Sequence, residues 1–327
     1  MKNKKKIKIL VTLGPSSLTE DFLKFSLSSK ISLLRLNMSH IDLNKLEETI
    51  QFIRKYNDKT PICIDTEGAQ IRTKTSEKKL LKLGEKFEIY KSKRKISLYP
   101  EEVFNKLKIN DNLLIGFDNL QAKIIKKNTE KILLKTTSEG FLEGNKGVHI
   151  KNRNIGLNYL TNKDLKSIYI GKKNKINNFA LSFTNSENDI KRFKKILKKE
   201  NKIYKIETLS AIRKLEKIVK EGDKFLIDRG DLSKETEIEK IPKYQRKIIN
   251  LIKKFKKKEI FIATNLLESM TQNINPTRAE ANDIFNCLEM GASGLVLAAE
   301  TAIGKYPKES VIFLMKMIKE FSKEIHE

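Results

Sequence analysis

Residues 202–232 have the sequence KIYKIETLSAIRKLEKIVKEGDKFLIDRGDL, and this stretch decides the fold. It begins with an apolar run over 202–206, continues with a segment of helical period over 209–221 and returns to an apolar run over 224–228. Short apolar runs rich in β-branched residues indicate buried strands, and a helix between two of them indicates that the strands are parallel. The stretch is therefore predicted to be a βαβ unit.

The same alternation extends toward both ends of the chain. Strand candidates occupy residues 7–13, 32–38, 61–66, 178–183, 202–206, 224–228, 259–263 and 294–298. Each is followed by a segment of helical period, although the helix of the third strand comes only after a long interruption. Eight such units predict an α/β fold, a TIM (β/α)8 barrel. A doubly wound open sheet is the alternative, but no G-x-G-x-x-G motif follows the first strand to support it.

The interruption differs in pattern from the rest of the chain. Residues 87–90 and 131–134 are typical of antiparallel strands because apolar and polar positions alternate there. Removing the interruption leaves about the 250 residues that a TIM barrel needs. We therefore assign residues 1–73 and 154–327 to the catalytic barrel and residues 74–153 to an inserted, β-barrel-like lid domain.

The composition is strongly basic, with 67 Lys and Arg against 41 Asp and Glu and a net charge of +26. Such a charge raises the hypothesis of a nucleic-acid partner. The lysines are spread over nearly every predicted helix, Trp is absent, and no zinc-finger or RNA-binding signature occurs. We therefore favour a solvated basic surface and keep nucleic-acid binding as the weaker alternative.

The location of the protein is predicted from what the chain lacks. No apolar run approaches the roughly 20 residues of a membrane-spanning helix, and the basic N-terminus is not followed by a signal peptide. Cys63 and Cys287 are too few for a disulfide framework and are predicted to be reduced core residues. We expect a cytoplasmic protein without a membrane partner.

Polar residues follow most of the predicted barrel strands where each strand ends. They occupy residues 35–40, 65–68, 205–207, 229–231, 264–265 and 300–301. The carboxyl ends of the strands of a TIM barrel meet at one mouth, where the active site lies. Any single strand end becomes polar as it leaves the core, but the coincidence of six of them indicates a functional site.

The residue types at this mouth limit the chemistry. Only 3 His are present and no Cys/His cluster occurs, so a zinc site is improbable. Glu207 and Asp231 follow adjacent strands and offer the oxygen ligands that Mg²⁺ prefers. Lys205 is two residues before Glu207, so both side chains lie on the same side of the strand. A lysine beside a metal pair suggests charge neutralisation in phosphoryl transfer, and Gly230 allows backbone N–H groups to approach an anion.

These residues resemble the pyruvate kinase family, and the match runs in family order along the barrel. Residues 9–17 (ILVTLGPSS) resemble the opening strand and its T-I-G-P-A-S turn, residues 35–40 (RLNMSH) resemble R-L-N-F-S-H, and residues 65–73 (DTEGAQIRT) resemble D-T-K-G-P-E-I-R-T. Further matches are KIE at 205–207, RGDL at 229–232 and ATNLLESM at 263–270. NPTRAEAND at 275–283 is similar to N-P-x-P-T-R-A-E-x-x-D. Each motif alone is weak, but their order and spacing together are specific.

The resemblance implies transfer of a phosphoryl group from phosphoenolpyruvate to ADP, giving pyruvate and ATP in glycolysis. Arg35 would contact the phosphoryl group and Lys205 would stabilise it in the transition state. Thr264, with the amides of Gly230 and Asp231, would hold the carboxylate end of the substrate. Arg35, Lys205 and Thr264 are thus the implied catalytic residues.

The resemblance also implies the cofactors and the nucleotide contacts. Glu207 and Asp231 would bind Mg²⁺ or Mn²⁺. The family's potassium site corresponds to Asn37, Ser39, Asp65 and Thr66. The nucleotide contacts correspond to Asn37, His40, Arg72 and Lys146. A homo-oligomer is expected.

Two departures from the family change these expectations. The family usually continues into a further domain that binds effectors, whereas this chain stops at Glu327, so regulation by a sugar phosphate is not expected. Gln70 stands where the family has Glu or, in potassium-independent members, Lys, and we expect potassium dependence because a neutral Gln cannot replace the charge of the ion. A related barrel enzyme acting on another enol phosphate and a non-catalytic relative are the competing hypotheses.

Overall fold

The structure is a computed structural model that describes residues 6–68, 70–92, 95–116, 120–151 and 155–324. It divides into two compact units. The first consists of Met1–Gly68 and Asn162–Glu327, and the second of Ala69–Thr161. We call them the barrel unit and the small unit.

The described residues contain seventeen strands and twelve α-helices. The strands are β1 (Lys8–Leu13), β2 (Ile31–Asn37), β3 (Ile62–Asp65), β4 (Ile71–Lys74), β5 (Lys79–Leu81), β6 (Lys86–Tyr90), β7 (Ser97–Tyr99), β8 (Asn112–Ile115), β9 (Leu120–Lys127), β10 (Lys131–Thr136), β11 (Gly140–Leu142), β12 (Gly147–Ile150), β13 (Asn178–Leu181), β14 (Asn201–Ile206), β15 (Lys224–Asp228), β16 (Glu259–Ala263) and β17 (Gly294–Leu297). The α-helices are α1 (Glu20–Ser28), α2 (Leu46–Tyr56), α3 (Glu102–Lys106), α4 (Asn162–Lys173), α5 (Glu187–Ile196), α6 (Leu209–Arg213), α7 (Leu215–Glu221), α8 (Arg229–Leu232), α9 (Ile241–Lys253), α10 (Arg278–Glu289), α11 (Ala299–Ala302) and α12 (Pro307–Glu324).

The barrel unit confirms the predicted TIM barrel. Its eight parallel strands close in the order β1, β17, β16, β15, β14, β13, β3, β2. The strands are therefore neighbours in chain order, which is the topology of repeated βα units and excludes the doubly wound sheet. The helix of the third strand is α4, which follows the small unit as the sequence predicts.

The helices begin and pack as their sequences dictate. The side chains of Thr19, Ser186 and Thr208 cap α1, α5 and α6 by accepting a backbone N–H of the first turn. In α2, Leu46, Ile50 and Ile53 are buried at helical spacing and form the face that packs inward. The helix predicted over 209–221 is divided into α6 and α7, because Lys214 leaves the helical conformation at φ −103° and ψ 15°.

The barrel interior is built in layers from alternate residues of the strands. One layer is apolar and contains Leu10, Leu33, Cys63, Ala180, Ile203, Leu226, Phe261, Ala263 and Val296. Two residues further along each strand, the side chains point to the same face because successive residues alternate. For six of the eight strands the residue at that position is polar and buried: Thr12, Arg35, Asp65, Ser182, Lys205 and Asp228. We call these six residues the polar layer, and all of them are buried.

The small unit has its own core. Seven strands close a second barrel in the order β10, β6, β7, β4, β12, β8, β9, and β5 pairs with β11 beside it. The pairing is antiparallel as predicted, except that β6 and β7 are parallel at Tyr90 and Ser97. A buried cluster that includes Ile89, Val103 and Ile132 fills this barrel.

The limits of the two units differ from the limits assigned from the sequence. Residues 70–73 were assigned to the catalytic barrel, but β4 pairs with β7 and β12 of the small unit. Residues 155–161 also lie in the small unit, and Ile155 is part of its core. The assigned boundary at residues 153 and 154 lies outside the described residues.

Within the described part of the chain, no helix combines the length and the apolar character needed to cross a bilayer. Cys63 and Cys287 are both free thiols, and both are buried as the sequence predicts.

Candidate active site in the barrel unit

Arg35 and Asp65 form the first part of the polar layer. Arg35 donates through Nε to Asp65 Oδ2 at 2.7 Å and through a terminal nitrogen to Thr12 Oγ1 at 2.8 Å. Its other terminal nitrogen lies 2.5 Å from the same oxygen, so two nitrogens of the guanidinium contact Asp65 Oδ2. Asp65 is completely buried. The guanidinium of Arg35 is therefore held in one orientation.

Lys205 lies among three carboxylates. Its Nζ is 2.6 Å from Glu207 Oε1, 3.3 Å from Asp65 Oδ2 and 3.5 Å from Asp228 Oδ2, and it donates to Ser182 Oγ at 3.2 Å. Burial alone would lower the pKa of Lys205, but the negative charges of these three carboxylates raise it above its usual value. Lys205 is consequently a fixed positive charge and not a proton donor near neutral pH.

Glu207 shares the face of Lys205, as the spacing of the two residues predicts. Its other oxygen, Oε2, accepts the backbone N–H of Phe183 at 2.6 Å. Phe183 adopts the left-handed conformation, with φ 51°, where a bulky side chain is rare. Burial raises the pKa of Glu207 to about 8; Lys205 opposes this shift, and Asp231 and Asp228 add to it. A cation bound at this carboxylate would favour its ionised form and so oppose the shift.

Asp228 was not among the site residues predicted from the sequence. It is the last residue of β15, and its Oδ1 accepts the hydroxyl hydrogen of Thr264 at 2.6 Å. Burial would raise the pKa of Asp228, but the charges of Lys205 and Arg35 outweigh burial and lower it. The alternation rule that paired Lys205 with Glu207 also puts Asp228 on the interior face, two residues after Leu226.

Three carboxylates form a candidate metal centre. Oxygens of Glu207, Asp228 and Asp231 all lie within 4.8 Å of one another. Asp231 belongs to α8 and pairs with Lys234 at 2.5 Å. Hard divalent cations such as Mg²⁺ and Mn²⁺ prefer oxygen donors, so the donor set fits the metal predicted from the sequence. Glu207 and Asp231 are therefore brought together as predicted.

The backbone beside this centre is shaped by Arg229. Thr264 and Asn265, which follow β16, have left-handed conformations with φ 76° and 56°. Arg229 donates to the carbonyl of Thr264 at 2.6 and 3.0 Å and to that of Asn265 at 3.2 Å. A Cβ at Gly230 would lie 2.8 Å from Thr264 Cγ2, so glycine allows α8 to approach this turn.

The four predicted potassium ligands lie at the ends of β2 and β3. Asn37 and Asp65 are register partners in these strands. The amide oxygen of Asn37 accepts the backbone N–H of Ser39 at 3.1 Å. Thr66 is buried and accepts the backbone N–H of Ser182 through its hydroxyl at 3.0 Å. The four residues thus lie at the ends of two neighbouring strands, and the Asp65 carboxylate contacts two cationic side chains, Arg35 and Lys205.

The predicted nucleotide contacts are divided between the two units. Asn37 and the exposed His40 lie in the barrel unit. Arg72 and Lys146 lie on neighbouring segments of the small unit, since Arg72 is the register partner of Gly147. Lys146 Nζ is 2.8 Å from Glu143 Oε1. Gln70 is buried in the small unit.

The longest motif, residues 275–283, has a structural role at the start of α10. Thr277 and Glu280 form a capping box. Glu280 also accepts the backbone N–H of Ser269 at 2.7 Å and its hydroxyl at 2.5 Å. Asp283 pairs with Arg229 at 2.7 Å. The motif therefore anchors Arg229 and the segment after β16, and sequence reasoning had given it no such role.

Comparison with known proteins shows a match to one family along nearly the whole chain. A family model described as pyruvate kinase, barrel domain, matches residues 4–311. The pyruvate kinase of Thermotoga maritima is 32% identical over 97% of this chain and 71% of its own length. That of Chlamydia muridarum is 30% identical over 97% of this chain and 69% of its own length. That of Staphylococcus haemolyticus is 31% identical over 94% of this chain, which spans 55% of that relative.

Proposed function

The chain belongs to the pyruvate kinase family, and from this premise we propose that it transfers the phosphoryl group of phosphoenolpyruvate to ADP, giving pyruvate and ATP. The observation that carries the proposal is the position of Lys205, a buried cation 2.6 Å from Glu207 and beside Arg35 in the polar layer. Phosphoryl transfer needs fixed positive charge around the moving group more than it needs acid or base catalysis. Lys205 and Arg35 supply such charge.

The roles of the two cations follow from their surroundings. Asp65 and Thr12 hold the guanidinium of Arg35 in place. The remaining N–H groups of its two terminal nitrogens are proposed to bind phosphoryl oxygens without reorientation. Lys205 retains its proton because its three carboxylate neighbours raise its pKa. It therefore acts by electrostatic stabilisation, and the proton that converts the enolate into pyruvate has another source.

Glu207 and Asp231, with Asp228 close to both, would hold the divalent cation. When bound, Mg²⁺ or Mn²⁺ neutralises charge on the phosphoryl oxygens and helps to orient them. The amides of Gly230 and Asp231, together with Thr264, are proposed to orient the carboxylate end of the substrate. Asn37, Ser39, Asp65 and Thr66 are proposed as ligands of K⁺.

The nucleotide is proposed to contact Asn37 and His40 of the barrel unit and Arg72 and Lys146 of the small unit. Arginine and lysine suit the phosphates of ADP because both are permanent cations. We also propose a homo-oligomer, which light scattering coupled to gel filtration would test. A cytoplasmic location is part of the same proposal, and the two buried free thiols are consistent with a reducing compartment.

Measurement of pyruvate formation by purified protein tests the function. Turnover is expected with phosphoenolpyruvate, ADP, Mg²⁺ and K⁺, and it should stop in excess chelator and return when Mg²⁺ is added. Replacing KCl by tetramethylammonium chloride at constant ionic strength should lower the rate if potassium binds. No pyruvate under any of these conditions would contradict the proposed function, and equal rates in both salts would contradict only the potassium site.

A further inference from the structure

The helical segment that follows β14 is broken, and a cavity lies beside the break. α6 ends at Arg213 and α7 begins at Leu215, while Lys214 between them adopts φ −103° and ψ 15°. A cavity of about 530 Å³ lies between this junction and the side of α9 that carries residues 247–254. Its volume falls within the roughly 300–1,000 Å³ of small-molecule sites. The space is therefore large enough for a small ligand.

The lining of this space is cationic, and we call it the basic cavity. Most ligand sites are lined by apolar side chains with a few polar groups among them. Here the charged lining residues are five cations and one carboxylate: Arg213, Lys214, Lys217, Lys247, Lys254 and Glu216. The cations stand on two walls, one at the junction of α6 and α7 and the other on α9. Because positive charge is in large excess on both walls, a ligand of this cavity must be an anion.

In the part of the chain that the structure describes, none of the five cations forms an ion pair with a carboxylate. A lysine beside the same helices does form one, since Lys191 Nζ lies 3.7 Å from Glu221 Oε1. Burial raises the pKa of Glu235 and Arg213 opposes that shift, but this carboxylate already accepts the backbone N–H of Leu209 at 2.7 Å. The five cations repel one another, and a bound anion would relieve that repulsion.

The spacing of the cations indicates which kind of anion fits. Lys247 and Lys254 are seven residues apart along α9 and its C-cap, which is about 10 Å along the helix axis, and Lys217 stands on the opposite wall. A single phosphate is too small to contact cations that far apart, whereas a chain of linked phosphates extends past several of them. We propose that the basic cavity binds a short polyphosphate chain, either free or carried by a nucleotide.

A nucleic acid also offers a row of phosphates, but the lining favours the short chain. Proteins that bind single strands combine cations with aromatic side chains on which the bases stack. Among the described residues that line the basic cavity, none is aromatic. The proposal goes beyond the proposed function and does not depend on it, because no lining residue belongs to the polar layer or to the candidate metal centre.

The experiment compares the wild-type protein with two double variants of equal net charge. Lys217→Gln/Lys247→Gln neutralises one cation on each wall of the cavity. Lys220→Gln/Lys243→Gln is the matched control, since it changes exposed lysines of the same two helices that do not line the cavity. All four side chains are exposed, so both variants should unfold at the wild-type temperature without ligand. Calorimetry without divalent cations then measures the binding of sodium tripolyphosphate, ATP and orthophosphate at constant ionic strength.

The wild-type protein and the control should bind tripolyphosphate at least about tenfold more tightly than orthophosphate. The cavity variant should bind tripolyphosphate at least about tenfold more weakly than wild type, because two cations that contact the chain are lost. Added salt should weaken the wild-type affinity. Amide hydrogen exchange of residues 212–217 and 247–254 should slow when tripolyphosphate is bound.

The ATP measurement identifies the source of the chain. Binding of ATP that is weakened in the cavity variant and retained in the control would show that a nucleotide can carry the chain into the cavity. Binding of tripolyphosphate alone with this pattern would identify the free chain as the ligand. Both results support the proposed site.

Four results would overturn the proposal. The wild-type protein might fail to bind tripolyphosphate, or the cavity variant and the control might bind it equally, which would attribute the affinity to overall charge. Equal affinity for orthophosphate would show that no chain is recognised. Tighter binding of a single-stranded RNA oligonucleotide, lost in the cavity variant, would assign the cavity to nucleic acid. Pyruvate formation is not measured in any of these experiments, so each of these results leaves the proposed function intact.

Discussion

Lys205 stands at the centre of the polar layer, and its replacement has two separable consequences. Lys205→Met is expected to lower pyruvate formation by roughly a hundredfold or more, because a fixed positive charge is lost from a buried transition state. It should also lower the free energy of unfolding by about 3 kcal/mol, because Asp65, Glu207 and Asp228 lose their shared counter-ion. A domain of ordinary stability survives that loss.

Lys202→Met at the other end of β14 is the control, since Lys202 lies outside the polar layer. It should retain wild-type turnover. The two variants are compared in the pyruvate assay and by urea denaturation. Near-normal turnover of Lys205→Met would contradict the role assigned to this residue.

The sequence predicts the positions of some side chains at this site but not the roles of others. Lys205 and Glu207 were predictable because alternation along a strand puts residues two apart on one face, and the same rule reaches Asp228. The role of Arg229 was not predictable. It depends on the left-handed turn at Thr264 and Asn265, whose carbonyls it binds, and no local pattern in residues 264–265 indicates that conformation.

At the scale of elements, Arg229 joins α8 to the turn after β16. Arg229→Lys is expected to cost about 1–3 kcal/mol of unfolding free energy, because a single ammonium group cannot reproduce the forked contacts with two carbonyls. We also expect roughly a tenfold lower kcat, because Thr264 is no longer held beside Asp228.

Asp283→Asn separates the two contacts of Arg229. It removes the ion pair at 2.7 Å and leaves the guanidinium bonded to the carbonyls, so its kcat should stay within about threefold of wild type. Thermal unfolding and steady-state kinetics measure both effects. If Arg229→Lys matched the wild-type protein in stability and kcat, the carbonyl contacts would have no role in holding Thr264.

The start of α10 should make stability dependent on pH. Burial would raise the pKa of Glu280, but hydrogen bonds from Ser269 and Thr277 to its ionised form outweigh burial and lower it below the ordinary 4.5. A carboxyl with a lowered pKa in the folded state stabilises the fold above its unfolded pKa, and this contribution is lost as the pH falls through the folded value.

Glu280→Gln keeps the shape of the capping box but not the charge. It is expected to lower unfolding free energy by about 1 kcal/mol at pH 7, and the difference from wild type should shrink below about pH 4.5. Urea denaturation across this pH range gives the measurement, with the exposed Glu289→Gln at the far end of α10 as control. A difference that grew on acidification would contradict the assignment.

At the scale of the whole molecule, the topology was predictable from periodicity, because eight βα units allow few arrangements. The limits of the small unit were not, because β4 continues the motif DTEGAQIRT and only its pairing with β7 and β12 shows which unit contains it. Because the sequence of β4 would suit pairing in either unit, it does not by itself indicate which unit contains the strand.

The connection between the units predicts that the barrel unit folds alone. Asp164 is buried and accepts the backbone N–H groups of Glu67 and Gly68 at 2.7 and 3.2 Å, so the chain leaves and re-enters the barrel unit at adjacent points. Replacing residues 69–161 by a short Gly/Ser linker should give a soluble protein with α/β circular dichroism and cooperative unfolding. Residues 69–161 alone should fold as a β-protein, since they have their own core. Loss of cooperative unfolding in the linker variant would mean that the barrel depends on the insertion.

The pairing of β3 has a consequence during synthesis of the protein. β3 binds β2 on one side and β13 on the other, and β13 follows the whole of the small unit in the chain. At translation rates of about 5–20 residues per second, the first three strands spend roughly ten seconds outside the ribosome with β3 as an unpaired, apolar edge. Such an edge pairs readily with other chains. The need for chaperone protection therefore falls on the first three strands of the nascent barrel, before β13, the second partner of β3, has been translated.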